Sequence, residues 1–228
     1  LGADQNNIKI KKINTKDKKN TFITLEYHKK NYDFIFKGMP LFQIENILLA
    51  YYSLISIGFS FFKIKKVINY LPHIPGRMQI AGYKKSNNAR VYVDFAHTPA
   101  ALKKVLIEAR RMTEGQLHVL FGCGGDRDKA KRKKMGIISL KYADNTIVTD
   151  DNPRFEHPKK IRDEIISNSI DIINCPNRKN AIYKSIKNLK KTDVLIIAGK
   201  GHEKYQIIRD SYIKFDDVKI ANEACQSL

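Results

Sequence analysis

Cysteine is scarce in this chain of 228 residues, since it has only Cys123, Cys175 and Cys225, which are far apart and form no CxxC pair. This spacing excludes a disulfide framework and a zinc-finger-like site, and it indicates a reducing compartment such as the cytoplasm. Nothing at the N-terminus resembles a secretory signal. We therefore expect a cytoplasmic protein with no metal site built from cysteine.

Long hydrophobic runs are also missing. The stretch from Ile47 to Phe62 has no charged residue over 16 residues, and it contains one glycine and three serines. A membrane-spanning helix needs about 18 to 20 apolar residues, so this stretch is too short and too polar. It predicts a buried helix, and we expect no membrane partner.

Acidic residues are few, because 23 Asp and Glu stand against 42 Lys and Arg, a formal net charge of +19. Such an excess is typical of nucleic-acid-binding proteins. However, the lysines are scattered among Asn and Ile, and no nucleic-acid-binding motif accompanies them. We therefore expect no nucleic-acid partner, although the positive field favours anionic substrates. A basic nucleic-acid-binding α/β domain stays open as the non-enzymatic alternative.

The pattern of secondary structure changes near residue 75, where Pro72 and Pro75-Gly76 mark a domain boundary. Before this boundary, residues 1–37 predict strands and hairpins around a polar turn at 28–31, and helices follow over 41–56 and 63–70. We expect a first domain at 1–74 and a second at 75–228. The first domain begins abruptly, without a partner for its apolar strands, so we expect it to be the end of a larger domain.

Strands and helices alternate in the second domain. Thr98 and Pro99 provide a capping hydroxyl and a first-position proline for a helix that runs to about 113. Strands are predicted at 91–93, 117–121, 145–149, 171–174 and 194–198, and helices at 131–142, 158–167, 179–189 and after Asp216 or Asp217. Short connections between alternating elements predict an α/β fold with a Rossmann-like, mostly parallel sheet.

Four loops rich in polar residues follow strands of this sheet, at 94–99, 122–129, 149–154 and 199–203. Ligands bind in such folds at the carboxyl ends of the strands. In the third loop, Asp and Asn can accept hydrogen bonds from an ammonium group while Arg154 can bind a carboxylate, which suits an amino acid. Alone, that loop is equally typical of an Asx-Pro turn with a surface ion pair. The glycine-rich second loop is neither GxGxxG nor a Walker A motif.

Five motifs in order resemble the bacterial Mur ligase family, in particular its members that make UDP-N-acetylmuramoyl-tripeptide, and the resemblance covers the chain from about Gly38. The motifs are Pro75-Gly76-Arg77-Met78, Asp94-Phe95-Ala96-His97-Thr98-Pro99, Phe121-Gly122-Cys123-Gly124-Gly125-Asp126-Arg127-Asp128, Asp150-Asp151-Asn152-Pro153-Arg154 and Gly199-Lys200-Gly201-His202-Glu203.

The resemblance implies a cytoplasmic, ATP-dependent amide ligase of peptidoglycan synthesis that adds meso-diaminopimelate to UDP-MurNAc-L-Ala-D-Glu through an acyl phosphate. Residues 1–74 match the C-terminal remnant of the central ATP-binding domain, and 75–228 match the C-terminal domain that admits the amino acid. The family's Walker A loop is absent here. The resemblance thus implies an inactive fragment without catalytic or metal-binding residues of its own, whose cofactors are ATP and Mg²⁺ and whose oligomeric state is a monomer.

For ATP, the resemblance assigns four residues. Asn46 matches an asparagine near the adenine, and Arg77 matches an arginine that reaches the phosphates. Asp94 and His97 match residues that close over the nucleotide. The family's Phe-Asn-x-x-Asn pattern departs here at Gln43, which replaces one amide by another.

For meso-diaminopimelate, the resemblance assigns carboxylate binding to Arg154 and Arg127 and a backbone contact to Gly199. The distal ammonium group is assigned to the acceptors Asp151, Asn152 and Glu203. Arg154 distinguishes diaminopimelate from lysine, which lacks the second carboxylate and would leave the guanidinium unpaired. The folylpolyglutamate synthases share the fold and are the alternative within the ligases, but we do not expect them to carry the third and fourth loop motifs together.

Overall fold

The computed structural model describes residues 8–15, 20–68 and 70–228, and the chain divides into two compact units, Leu1–Pro72 and His73–Leu228. Each unit has its own cluster of buried apolar side chains. The parts of the predicted strands that fall in 1–7 and 16–19, and residue 69 of the predicted second helix, lie outside the described residues.

The first unit is a three-stranded antiparallel sheet covered on one face by two helices. The strands follow each other in the order β1-β2-β3, and the elements are β1 (Ile8–Asn14), β2 (Asn20–Tyr27), β3 (Lys30–Lys37), α1 (Leu41–Ser56) and α2 (Phe61–Ile68). The turn between β2 and β3 is shorter than predicted, because Tyr27 pairs with Lys30 and only two residues with positive φ lie between them. No helix in the described parts of the chain is long and apolar enough to cross a membrane.

Alternation of apolar residues along β2 and β3 explains the core of the first unit. Ile23 pairs with Phe34, so both side chains point to the same face of the sheet and are buried there. Leu48 and Tyr51 of α1 cover this face, and the Tyr51 hydroxyl donates to the carbonyl of Phe61 (3.1 Å). The unit therefore buries a continuous core of its own.

The second unit contains a six-stranded sheet with helices packed against it. Its strands lie in the order β4-β5-β9-β6-β7-β8, and only β4 is antiparallel to its neighbour. The elements are β4 (Gln79–Tyr83), β5 (Arg90–Asp94), α3 (Pro99–Met112), β6 (Leu117–Phe121), α4 (Ala130–Tyr142), β7 (Asn145–Val148), α5 (Pro158–Ile166), β8 (Ile172–Asn174), α6 (Arg178–Asn188), β9 (Val194–Ala198), β10 (Tyr205–Ile208), β11 (Ser211–Lys214) and α7 (Asp217–Ser227). The prediction of a Rossmann-like, mostly parallel sheet is confirmed.

The register of the parallel strands brings the four polar loops to one edge of the sheet. The central strands β6 and β9 are buried along their whole length, as expected for strands covered on both faces. Asp94 pairs with Ala198 and Phe121 pairs with Val148, so these strands end at nearly the same level. The loops that follow them therefore start side by side.

Capping residues define the helix starts as predicted. The Thr98 hydroxyl accepts from the backbone N–H of Ala101 (3.3 Å), and Pro99 is the first residue of α3. Asp216 accepts from the N–H groups of Val218 (3.0 Å) and Lys219 (3.2 Å) at the start of α7.

The free thiols belong to the packing of the second unit. Cys225 is buried in its core, whereas Cys175 is only partly buried against it. Burial raises the pKa of Cys225 to about 11 and that of Cys123 to about 12, so neither is a thiolate near neutral pH.

Candidate substrate-binding site

The loop after β7 contains two neighbouring carboxylates with different surroundings. Asp150 forms an ion pair with Arg162, which in turn donates to Asn174 (2.9 Å), so this carboxylate ties α5 to the sheet. Desolvation raises the pKa of Asp150 and the hydrogen bond from Arg162 opposes that effect. Asp151 is also buried, and its Oδ1 accepts from the backbone N–H of Asn152 (2.6 Å). Of the two, only Asp151 lies beside the other predicted binding residues.

The amide of Asn152 is fixed by three hydrogen bonds. Its Oδ1 accepts from the ammonium of Lys200 (2.6 Å) and from the backbone N–H of Ile207 (3.0 Å), while its Nδ2 donates to Glu203 Oε2 (2.9 Å). Two donors on one side and a carboxylate on the other leave only one orientation for the amide. Because a carbonyl oxygen has two lone pairs, Oδ1 of Asn152 has no remaining capacity for a ligand.

Lys200 and Glu203 come from the loop after β9. The Lys200 side chain is completely buried, and its ammonium group donates to Glu203 Oε2 at 3.1 Å as well as to Asn152. Oε1 of Glu203 has no hydrogen-bond partner in the described part of the chain. Gly199 has a φ of +112°, a conformation that side chains rarely adopt, and a Cβ atom there would meet Asp151 Oδ2 at 2.8 Å. The loop therefore turns sharply at Gly199, and the side chain of Lys200 points into the protein interior.

Arg154 is held by its backbone and by one corner of its guanidinium group. Its φ is +51°, its N–H donates to Ile207 (3.1 Å), and its carbonyl accepts from Arg209 (2.9 Å). Nη1 donates to the carbonyls of Gly125 (2.9 Å) and Asn152 (3.5 Å). Nε and Nη2 have no hydrogen-bond partner among the described residues. These two nitrogens form an edge of the guanidinium that can bind a carboxylate with two hydrogen bonds.

The hairpin of β10 and β11 positions Arg154, and the sequence did not predict this hairpin. Arg154 forms an isolated parallel bridge with Ile208, and the Gln206 amide donates to the carbonyl of Asp151. The hairpin thus covers the loop after β7 from outside the main sheet. Its strands have four residues each and are mostly exposed, which explains the weak signal in the sequence.

Arg127 lies in the exposed part of the glycine-rich loop. Nη1 of its guanidinium donates to the carbonyl of Asp126 (3.2 Å), and the side chain is otherwise open to solvent. The neighbouring Gly125 has no room for a Cβ atom, which would overlap the carbonyl of Pro153. This close approach holds the loops of Arg127 and Arg154 against each other.

A buried ion-pair network lies beside the glycine-rich loop and forms hydrogen bonds with its backbone. Arg132 is completely buried and donates to both oxygens of Glu156 (2.7 and 3.0 Å) and to Glu164 (2.7 Å). Glu156 Oε1 also accepts from the backbone N–H of Asp126 (2.7 Å). The hydrogen bonds from Arg132 lower the pKa of Glu156 to about 2. Sequence reasoning did not find these residues, because charged residues on helices and in loops are usually solvated.

A second buried arginine fixes the end of β9. Arg178 donates through Nε and Nη2 to the two oxygens of Asp217 (2.8 Å each) and through Nη2 to the carbonyl of Ala198 (2.9 Å). Ala198 directly precedes Gly199, so this clamp determines where the loop of Lys200 begins. No local pattern in the sequence indicates this pair, because its two members are 39 residues apart.

The residues that the sequence assigned to ATP in the second unit lie around the ring of Phe95. The guanidinium carbon of Arg77 is 4.5 Å from the ring centre, and the rings of His97 and His202 lie 4.6 and 5.3 Å away. His97 is exposed, and its Nδ1 contacts the carbonyl of Phe95 (2.9 Å). Sequence reasoning assigned no role to Phe95 or His202, although both stand in the quoted motifs.

Asp94 is a buried residue that joins two loops. Its oxygens accept from the backbone N–H groups of Met78 (2.8 Å) and Ala96 (2.8 Å). Desolvation raises its pKa, and these hydrogen bonds oppose the effect. Asp94 therefore positions the segments that carry Arg77 and His97. Asn46, the fourth residue assigned to ATP, is exposed on α1 of the first unit, and its contact with adenine stays a prediction.

Among the described residues, no three His, Cys, Asp or Glu side chains converge in a way that could hold a metal ion. Arg77 and His97, near the start of α3, fit the phosphates of a nucleotide.

Residues 76–201 match the family described as Mur ligase, glutamate ligase domain. The UDP-N-acetylmuramoyl-L-alanyl-D-glutamate–2,6-diaminopimelate ligase of Rickettsia bellii is 45% identical over 226 residues, which are 97% of this chain and 46% of that protein. The ligase 1 of the same name from Clostridium acetobutylicum is 41% identical over 189 residues, 82% of this chain and 39% of that protein. The chain therefore spans less than half the length of these relatives.

Solved structures give a consistent result for the fold. One described as UDP-N-acetylmuramoyl-L-alanyl-D-glutamate–2,6-diaminopimelate ligase has a TM-score of 0.66 and 30% identity. The match covers 97% of this chain and 45% of that chain. The folylpolyglutamate synthase of Mycobacterium tuberculosis, complexed with ADP and AMPPCP, has a TM-score of 0.65 and 13% identity. The match covers 97% of this chain and 48% of that chain. The second similarity concerns the fold alone.

Proposed function

The chain belongs to the Mur ligase family, and from this premise we propose that it is the amino-acid-binding part of an ATP-dependent ligase that adds meso-diaminopimelate to UDP-MurNAc-L-Ala-D-Glu. Residues 1–72 would then belong to the ATP-binding domain, and residues 73–228 would bind the incoming amino acid. The curated relatives at 41% to 45% identity carry the name of this activity, which supports the proposal.

The observation that carries the proposal is a cation and an anion with open hydrogen-bonding positions on either side of Asn152. Arg154 offers its Nε and Nη2 edge, and Glu203 offers Oε1. The distal end of meso-diaminopimelate has one carboxylate and one ammonium group, which match this pair. Lysine has only the ammonium group and would leave the guanidinium of Arg154 without a partner.

Asn152 serves in this proposal as a donor, although the sequence suggested an acceptor. Its Oδ1 is occupied by Lys200 and Ile207, so it does not receive the ammonium group. The second N–H of Nδ2 remains for the carboxylate of the ligand. Glu203 and Asp151 then provide the negative charge for the ammonium group, Gly199 a backbone contact and Arg127 a second, exposed cation.

The reaction proceeds in two steps. ATP first transfers its γ-phosphoryl group to the side-chain carboxylate of D-glutamate, which gives an acyl phosphate and ADP. The amino group of diaminopimelate then attacks the acyl carbon, the C–N bond forms, the bond to phosphate breaks and a proton leaves the nitrogen. The described residues bind and orient the attacking amino acid, and Arg77 and His97 hold nucleotide phosphates. Mg²⁺ bound together with the nucleotide would offset negative charge on those phosphates.

Cytoplasmic location, a monomeric state and the absence of a nucleic-acid partner remain predictions. A folylpolyglutamate synthase shares the fold, but the relative with that name is only 13% identical. No feature of the pocket favours it over the diaminopimelate ligase.

The test is the substitution Arg154→Ala in the full-length protein, with steady-state kinetics for each substrate. We expect the KM for meso-diaminopimelate to rise by about 10-fold or more, because a charge-assisted contact contributes about 1.5–3 kcal/mol. The KM for ATP should stay within about twofold. Arg209→Ala is the control, since this exposed arginine lies on the adjacent hairpin and its side chain has no partner among the described residues. An unchanged KM for diaminopimelate in Arg154→Ala would contradict the proposal.

A further inference from the structure

Lys200 is a charged residue with no exposed surface, and its ammonium group contacts two side chains of the proposed amino-acid pocket. The distances are 2.6 Å to Asn152 Oδ1 and 3.1 Å to Glu203 Oε2. A buried ammonium group is costly unless it is paired and hydrogen-bonded. Both partners are residues proposed to recognise the ligand, so Lys200 is placed to act through them.

The contacts of Lys200 determine which atoms of its partners remain for a ligand. Oε2 of Glu203 accepts from both Lys200 and the Asn152 amide, which leaves Oε1 as the acceptor that can receive a ligand. Oδ1 of Asn152 is saturated, which turns its Nδ2 toward Glu203 and the pocket. Without the ammonium group, the amide and the carboxylate could both rotate.

Lys200 also determines the net charge of the pocket. Among the buried and half-buried groups of the pocket, Asp151 and Glu203 contribute two negative charges and Arg154 contributes one positive charge, whereas the exposed Arg127 is solvated. The neighbouring Arg178 is already paired with Asp217. With Lys200 the pocket is neutral and suits a zwitterionic end group, whereas without it the pocket has an excess negative charge and favours a single cation.

From these contacts and this charge balance, we infer that Lys200 is a positioning residue for amino-acid selection, which orients Asn152 and Glu203 and makes the pocket neutral. Removal of its charge weakens binding of meso-diaminopimelate and reduces the preference for meso-diaminopimelate over L-lysine. This inference rests on the proposed function, since it takes diaminopimelate as the ligand. Lys200 touches no reacting atom in it.

The experiment compares Lys200→Met with wild type in the full-length protein, with meso-diaminopimelate and L-lysine as alternative substrates. We expect the KM for meso-diaminopimelate to rise by about 10-fold while kcat stays within about threefold and the KM for ATP is unchanged. The ratio of kcat/KM for the two amino acids should fall by about 10-fold. Lys204→Met is the control, because Lys204 is an exposed lysine four residues later that pairs with Asp216 instead of the pocket.

A double-mutant cycle with Glu203→Gln distinguishes positioning from a general loss of structure. If Lys200 acts through Glu203, the two substitutions together raise the KM by less than the product of their separate effects. Two results would overturn the inference. One is a joint fall of kcat and thermal stability with no selective change in the KM for the amino acid. The other is a double variant whose KM rises by the full product of the two separate effects. If Lys200→Met does not fold, Lys200→Gln, which keeps a donor without the charge, provides the same readouts.

The two proposals fail in different ways. A wild-type enzyme that ligates neither amino acid contradicts the proposed function. A wild-type enzyme that ligates meso-diaminopimelate, together with a Lys200→Met variant that behaves like Lys204→Met, contradicts only the role of Lys200.

Discussion

Lys200 and Arg127 both stand in glycine-rich loops that follow strands, but their surroundings differ. The structure separates them, since Lys200 is completely buried and Arg127 is exposed. The difference depends on partners that are distant in the sequence, such as Asn152 for Lys200. Residue type and spacing therefore predicted the place of the site, but the direction of each side chain depends on contacts between loops that no local pattern contains.

Glu156 gives a prediction for the pH dependence of stability. Its pKa in the folded state is about 2, below its ordinary value of about 4.5, so the ionised form stabilises the fold. The contribution is fully present above about pH 4.5 and is lost as the pH falls toward 2. The shift corresponds to about 3 kcal/mol in the free energy of unfolding, since one pKa unit is about 1.4 kcal/mol.

The measurement is urea unfolding of wild type and Glu156→Gln between pH 7 and pH 3. We expect wild type to be more stable by about 3 kcal/mol at pH 7 and the difference to shrink steadily below pH 4.5. Asp210→Asn is the control, because this exposed carboxylate has no partner among the described residues. If the difference in the free energy of unfolding stayed constant across this range, the ionised form of Glu156 would not stabilise the fold through its pairing with Arg132.

The elements that the sequence predicted best are those with a strong local pattern. The buried strands 117–121 and 194–198 are confirmed to the residue, because a short, mainly apolar run bounded by polar residues is typical of a central parallel strand. β4 and the hairpin of β10 and β11 were missed. They are short and partly or largely exposed, and each is stabilised by an antiparallel partner rather than by its own apolar pattern.

Gly136 in α4 gives a prediction at the level of elements. In an open helix, replacing glycine by alanine stabilises by about 1 kcal/mol. Here a Cβ atom at Gly136 would overlap the carbonyl of Ile165 in α5, so the two helices would have to move apart. We expect Gly136→Ala to destabilise the protein by about 1–3 kcal/mol, the usual cost of overpacking, as measured by urea unfolding.

Lys134→Ala is the matched control for Gly136→Ala, because Lys134 lies on the exposed face of the same helix. Its effect should be within about 0.5 kcal/mol. If Gly136→Ala stabilised the protein as in an open helix, the close packing of α4 against α5 would be refuted.

On the scale of the whole molecule, the two units differ in how much of the proposed site they contain. All residues proposed for the amino acid, together with Arg77, Asp94 and His97, belong to His73–Leu228, whereas Asn46 belongs to Leu1–Pro72. The change of pattern near residue 75 predicted a boundary, because three strands followed by two helices precede it and alternating strands and helices follow it. The function of each unit did not follow from that pattern and required the motifs.

The second unit should fold without the first. Its six-stranded sheet has a buried cluster built entirely from its own residues, including Val93, Leu120 and Ile197, and a domain of about 150 residues buries enough surface to be stable. We expect residues 73–228 to show a single cooperative urea transition by far-ultraviolet circular dichroism. Ile197→Asp places a carboxylate in the centre of this core and should abolish the transition. If residues 73–228 instead unfold gradually without a transition, the cluster is not an independent core. The second unit would then depend on the first for its stability.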